Sequence, residues 1–409
     1  MMRSLFSGVS ALKNHQVRMD VIGNNIANVN TVGFKSSRVT FRDTLNQTLR
    51  AASSPQGGRG GINPMQIGLG MTLGAIQTDH TQGSPESTGR QTDIAIEGNG
   101  FFILSDGPRR FYTRAGLFEV GGDGSLVSSV NGMKVMGWNA DANGGIDADQ
   151  AVEPLLIPMG QTISPIATTE IRFGGNLDSR MAVGESVTQT VEVYDSLGDT
   201  HSITLTFTKT SDEDNTWDWV ATSDVVTITA GTGTIKFDNH GNLDESLTTG
   251  VAIAFQPTGA NAVSITPKFT GVVQNASEGT LVFKSQDGYP QGTMVGYNVN
   301  DSGVIIGEYS NGLTKNVGQI ATAVFGNPGG LLRVGDTAFS ISANSGEPEI
   351  GRPGSGANGK LSPGALEMSN VDLSEQFTDM IITQRGFQAN SRIITTSDEM
   401  LQELVNLKR

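Results

Sequence analysis

Oxygen-bearing side chains recur at Asn139, Asp141, Asn143 and Asp147, with Gly144 and Ile146 between the last two. Oxygens at the first, third and fifth positions, glycine at the sixth and an aliphatic at the eighth are how a twelve-residue loop wraps a calcium ion. Two anchors depart from that pattern: the first position is an amide, and Gln150 stands where a bidentate glutamate belongs. A loop short of that carboxylate holds a hard cation weakly. The stretch therefore reads as an Asx-rich turn at a domain boundary, with no metal expected.

Residues 354–360 read GSGANGK, which satisfies G-x-G-x-x-G and approaches a phosphate-binding loop. A phosphate cradle needs a strand before it, a helix N-terminus after it and a hydroxyl residue directly after the lysine. Here Leu361 follows Lys360, Pro348 and Pro353 interrupt the approach, and Pro363 with Gly364 stop any helix. A flexible linker is the better reading. The four histidines, His15, His80, His201 and His240, share no ligand spacing, and the chain has no cysteine. That excludes thiolate ligands, disulfides and a thiol nucleophile. No serine elbow is present either. No catalytic residue and no cofactor is expected, and nothing supports an enzyme.

What the sequence does carry is assembly chemistry at its two ends. Leu5, Leu12, Met19 and Ile26 recur every seven residues, and so do Leu373, Met380, Phe387, Ile394 and Leu401. A sustained seven-residue repeat draws one apolar stripe down a helix and predicts a coiled-coil seam. Asp372 with Glu375 predicts a helix start, Gly33 the stop of the first helix, and Lys408 and Arg409 suit the negative end of the second. Gly8, Gly23 and Gly386 each cost about 1 kcal/mol inside a helix relative to alanine. A stripe one residue wide gives a lone chain little to bury. Both ends are expected to be largely disordered in the free subunit and helical in an assembly.

Between residues 93 and 360 the pattern turns to β. Alternation is clean over 187–194 and 201–209, where Ile203, Leu205 and Phe207 share one face. Further strands are expected at 93–104, 217–221, 225–229, 251–255, 263–266, 318–325 and 337–342. Asn-Gly at 99, 131, 143, 311 and 358 and Asp-Gly at 106, 123 and 287 supply turn residues that tolerate positive φ. Composition shifts near residue 145 and again near 284. The fold expected is mainly β, with two β domains, one inserted in the other, flanked by terminal α-helices that pair as a coiled coil in an assembled filament. Residues 1–32 with 370–409 make the helical domain, and 33–75 and 346–369 are Gly/Pro-rich connectors. Residues 76–144 with 284–345 make the first β domain, and 145–283 the inserted outer one.

The bulk numbers narrow the class of protein further. Glycine is 53 of 409 residues, about 13% against ~7% on average. Lys plus Arg total 27 against 41 for Asp plus Glu, for a net charge of −14. So acidic a chain is repelled by nucleic acid and anionic lipid, and neither is an expected partner. No run reaches the ~18 apolar residues of a membrane helix, and the N-terminus lacks the pattern of a cleaved signal peptide.

Read together, the ends resemble the rod, hook and hook-associated family of bacterial flagellar axial proteins. The resemblance lies in SGVSAL and MDVIGNNIANVNTVGFK within residues 7–35, and in GALEMSNVDLSEQFTDMIITQRGFQANSRIITTSDEMLQELVNLKR over 364–409. The latter is similar to the hook members in particular. Residues 60–70, 96–102 and 326–330 add to it, whereas 150–280 match by pattern only. The resemblance implies a homo-oligomeric helical tube with the terminal helices around a central channel and β domains outside. It implies an extracellular place in the flagellum and export through the flagellar apparatus without a cleaved signal peptide. Implied partners are the distal rod protein, the hook cap and the hook–filament junction proteins. Two alternatives stay open: a distal rod protein of the same family, and an extracellular β-sandwich adhesin with a helical stalk.

Overall fold

The computed structural model describes residues 2–55 and 60–407. Part of the first expected connector (56–59) and the terminal Lys408 and Arg409 lie outside the described residues. The chain forms two compact units: Met1–Ile157 with Asn298–Ile306 and Asn316–Arg409, and Pro158–Tyr297 with Gly307–Lys315. The boundary falls at 157/158 rather than 144/145. Residues 145–157 stay with the first unit because its own side chains hold them: Trp138 Nε1 donates to Gln150 O at 2.9 Å, and Leu155 and Ile157 are fully buried.

The first unit contains both helices, α1 (Met2–Ala27) and α2 (Leu373–Asn406). After α1 the chain enters a long two-part hairpin. Strand β1 (Ser37–Asp43) pairs antiparallel with β4 (Met71–Thr78), and β2 (Asn46–Arg50) with β3 (Met65–Gly68). The region expected as a connector thus carries ladders of its own. Its glycines serve close approach rather than slack: a Cβ on Gly70 (φ +111°) would meet Ser10 Oγ of α1.

The β body of the first unit is built around strand Phe101–Ser105, which pairs with Arg110–Thr113, Lys134–Asn139 and Thr322–Val324. Ala338–Ser340 and Leu332–Gly335 extend it beyond Arg110–Thr113. The expected strand at 93–104 is broken in two because Gly98 and Gly100 take positive φ. Its core gathers Phe101, Ile103, Tyr112, Trp138, Phe325 and Phe339.

The second unit is a sandwich of two five-stranded sheets. One contains Ser186–Tyr194, Thr200–Ser211, Thr216–Thr222 and Thr232–Lys236 in antiparallel order. The other centres on Glu170–Asp178, parallel to Val263–Asn275. Alternation along these strands sends Ile203, Leu205, Phe207, Trp217 and Trp219 inward against Ile171 and Phe173 of the facing sheet.

Candidate assembly site

The helices α1 and α2 run antiparallel and meet along a stripe of small and polar residues. From one end to the other, Gly8 lies against Ile394 and the Asn390 carbonyl, and Gly386 lies against the His15 ring. Further along, Arg18 Nη2 pairs with Asp379 Oδ2 at 2.9 Å, and Asn25 Nδ2 donates to Gln376 Oε1 at 3.0 Å. Ala11, Ile22, Thr383 and Ser397 are buried along the same line. Glycine, alanine, serine and threonine let two backbones approach closely.

Apart from Ile394, which meets Gly8, the heptad residues flank this line rather than occupy it. Leu5, Leu12, Met19 and Ile26 are half-buried, as are Met380, Phe387, Ile394 and Leu401, while Leu373 is exposed. Beyond them, Phe377, Ile381, Ile382, Ile393 and Met400 stand open on α2, and Phe6 and Val9 on α1. The pair therefore covers one narrow stripe of each helix and leaves a second apolar surface facing outward. The start of α2 is capped by Asp372, whose Oδ1 accepts from Ser374 N at 2.8 Å and Glu375 N at 3.3 Å.

Beneath the pair sits a buried ionic cluster with no periodic signal in the sequence. Glu367, just before α2, takes Lys35 Nζ on Oε1 at 2.6 Å and Arg114 Nη1 on Oε2 at 3.2 Å. Lys35 and Glu367 are each 1% exposed and Arg114 is 4% exposed. Lys35 Nζ also donates to Thr81 O, Arg114 Nη2 to Gly98 O, and Gly83 N to Glu367 Oε1. Arg333 donates to the Lys35 carbonyl and stacks on Phe34. Burial lowers the Lys35 and Arg114 pKa values, and Glu367 pulls both back. The one available hint was that Lys35 and Glu367 are lone charges in uncharged runs (NVNTVGFKSS and SPGALEMS).

The calcium-like loop is spent on its own backbone. Asn139 Nδ2 donates to Pro154 O, and its Oδ1 accepts from Leu156 N. Asp141 Oδ1 accepts from Asn143 N and Gly145 N, and Asp147 accepts from Asp149 N and the Gln150 amide. Among the described residues no group of three or more acidic, histidine or cysteine side chains is gathered as metal ligands would be. The glycine run at 354–359 closes as a turn, Gly354 N to Gly359 O at 2.9 Å, and Lys360 opens a strand rather than a helix.

Four family models match in chain order. They are flagella basal body rod protein over residues 5–35, flagellar hook protein FlgE/F/G D1 domain over 95–171, flagellar basal body protein FlaE D2 domain over 176–289, and flagellar basal body rod FlgEFG protein C-terminal over 362–407. The flagellar hook protein FlgE of Borreliella burgdorferi is 43% identical, with all of both chains covered. The chain belongs to the flagellar hook protein FlgE family. FlgE of Salmonella typhimurium is 35% identical over 99% of this chain and all of its own. The basal-body rod protein FlgG of Bacillus subtilis is 33% identical, again with both chains fully covered. A solved structure of Helicobacter pylori FlgE2 matches with TM-score 0.53 and 15% identity over 69% of this chain and all of that one, which supports the shared fold. As a FlgE family member the chain is a structural component of the flagellar hook.

Proposed function

We propose that the chain polymerises into a flexible helical tube that passes torque from rod to filament and encloses an export channel. The observation that carries this reading is the outward apolar face of the helix pair. Phe377, Ile381, Ile382 and Ile393 are exposed although they lie on a helix already packed along another stripe. A face of that kind repeated on every subunit suits burial against further copies, as heptad positions are buried in a bundle. Leu5, Leu12, Met19, Ile26, Met380, Phe387, Ile394 and Leu401, with Leu373 at the rim, would then close between neighbouring pairs.

On this reading the partners are other copies, the distal rod protein, the hook cap, the hook–filament junction proteins and the export apparatus. Export without signal cleavage and a place outside the cell belong to it as well. The expected roles follow for the first unit: paired ends inside and its own β body around them. On this reading the role is mechanical.

The full-length likeness to a FlgG rod protein gives the second reading, a straight rod subunit. Negative-stain images of polymers released from cells decide between them. Short curved tubes support the hook, and straight rods support the alternative.

A further inference from the structure

The ionic cluster beneath the helices contains a group that the assembly reading does not use. His80 is wedged between Phe101 and Phe339, with ring centroids 5.8 and 5.4 Å away. The same two phenylalanines carry guanidinium groups, Arg114 5.4 Å from the Phe101 centroid and Arg333 5.9 Å from that of Phe339. His80 Nδ1 is buried and makes no hydrogen bond. The charged groups around the ring are Lys35, Arg333 and Arg114 against Asp79, with Glu367 one step further out on Lys35 and Arg114. All three cations are held in place: Lys35 and Arg114 on Glu367, and Arg333 on the Lys35 carbonyl.

Glu367 is also where the two chain segments that lead to the helices are tied together. Its carbonyl accepts from Gly33 N at 2.8 Å, six residues after α1, and its Oε1 accepts from Gly83 N at 2.9 Å. Releasing Glu367 would free the approach to α1 and the approach to α2 at once.

We propose that this cluster is a proton-operated latch: a proton taken up by the His80 ring places a fourth cation in the cluster and frees both helix connectors from the β body. The proton would sit on an imidazole already crowded by three positive charges, and Nδ1–H would find no acceptor. Opening the joint to water relieves both costs. Burial, and then the neighbouring cations, hold the His80 pKa at about 4 in the closed joint, against about 6.5 for a solvated histidine. The closed form binds the proton more weakly than the open form. The latch is therefore fully favoured above about pH 6.5, and its closing equilibrium falls roughly tenfold per unit down to about pH 4.

Hydrogen exchange on the full-length subunit reads this directly, because Gly33 and Gly83 both donate to Glu367. Corrected for intrinsic exchange, protection at these two amides is expected to fall on the order of 80-fold between pH 6.5 and 4. Amides of the strand Glu170–Asp178 in the second unit should hold theirs. In His80→Phe, protection at Gly33 and Gly83 should be flat across that window. A flat profile in the unmodified chain overturns the latch, and so does an unchanged fall in the variant. If His80→Phe does not fold, the ring of His80 is titrated by NMR in the unmodified subunit. A midpoint near 4 supports the latch, and one near 6.5 removes it.

Discussion

Gly386 of α2 lies directly against His15 of α1, so that a Cβ built on the glycine would stand 3.1 Å from both Cε1 and Nε2 of the imidazole. Two effects of opposite sign meet at that contact. Replacing glycine by alanine stabilises a helix interior by about 1 kcal/mol, whereas the added methyl must push the ring aside. His15 is held by more than α2, since its ring also packs edge-on against Phe41 of β1 at 5.9 Å.

Gly386→Ala is therefore expected to destabilise the paired helices in the otherwise unchanged chain. In a His15→Ala background it should stabilise them, by up to about 1 kcal/mol. Thermal unfolding of the four proteins of this cycle, followed by helical circular dichroism, measures the coupling. The same effect of Gly386→Ala in both backgrounds would mean the contact is not felt.

His15 also gives the pair a pH dependence. Its pKa is lowered, first by burial and then by the charge of Arg18. The folded pair thus prefers the neutral ring, and stability from this source is complete above about pH 6.5. It is lost as pH falls toward the lowered value. His15→Gln should flatten the acid side of the helix melting profile below about pH 6.5. An unaltered profile would assign the acid loss to other groups.

Removing Glu367 strands two buried cations. Glu367→Ala should cost about 3–5 kcal/mol, the usual penalty for leaving a buried charge uncompensated. The half-exposed pair Arg18–Asp379 should behave differently, with either alanine substitution costing about 0–1 kcal/mol and less at high salt. Denaturant unfolding of both variants at two salt concentrations tests the contrast. Equal losses would mean the cluster is wetter than its burial indicates.

How much of this was legible differs by element. The sandwich strands 186–194 and 200–211 follow from strict alternation, because a strand with one buried face must place Ile203, Leu205 and Phe207 on the same side. The heptads located both helices. They did not locate the line of closest contact, because a search for large apolar residues passes over Gly8, Ala11, Thr383 and Gly386, which are small for the very reason that they sit there. The hairpin β1–β4 was hidden by its glycines and prolines, which read as linker when a pairing such as Ser37 with Thr78 or Asp43 with Met71 is out of view. In the Lys35–Arg114–Glu367 cluster the glutamate lies 332 residues from one cation and 253 from the other, and only the folded chain brings them together. The loop at 139–150 was legible as an Asx-rich turn: the oxygens that mimic a cation site are those an Asx turn uses to bind its own amides.

The outward face of α2 and its packed flank make separable predictions. Ile382 is 56% exposed and Ile381 58% exposed in the subunit, so a charge at either position costs the lone chain little. Ile382→Asp should leave the melting temperature of the purified subunit within the range of a surface substitution, about ±0.5 kcal/mol. If that face is buried between subunits, the same carboxylate must be dehydrated in every copy of the polymer, a penalty of several kcal/mol per subunit. Cells carrying it should export the protein, form no hook and fail to swim. Phe387 is already half-buried in the subunit, so Phe387→Asp should lower the subunit's own melting temperature as well as abolish polymerisation. The pair of variants separates the two surfaces. Normal hooks with Ile382→Asp would show that the outward face is not the contact between subunits, whatever Phe387→Asp does.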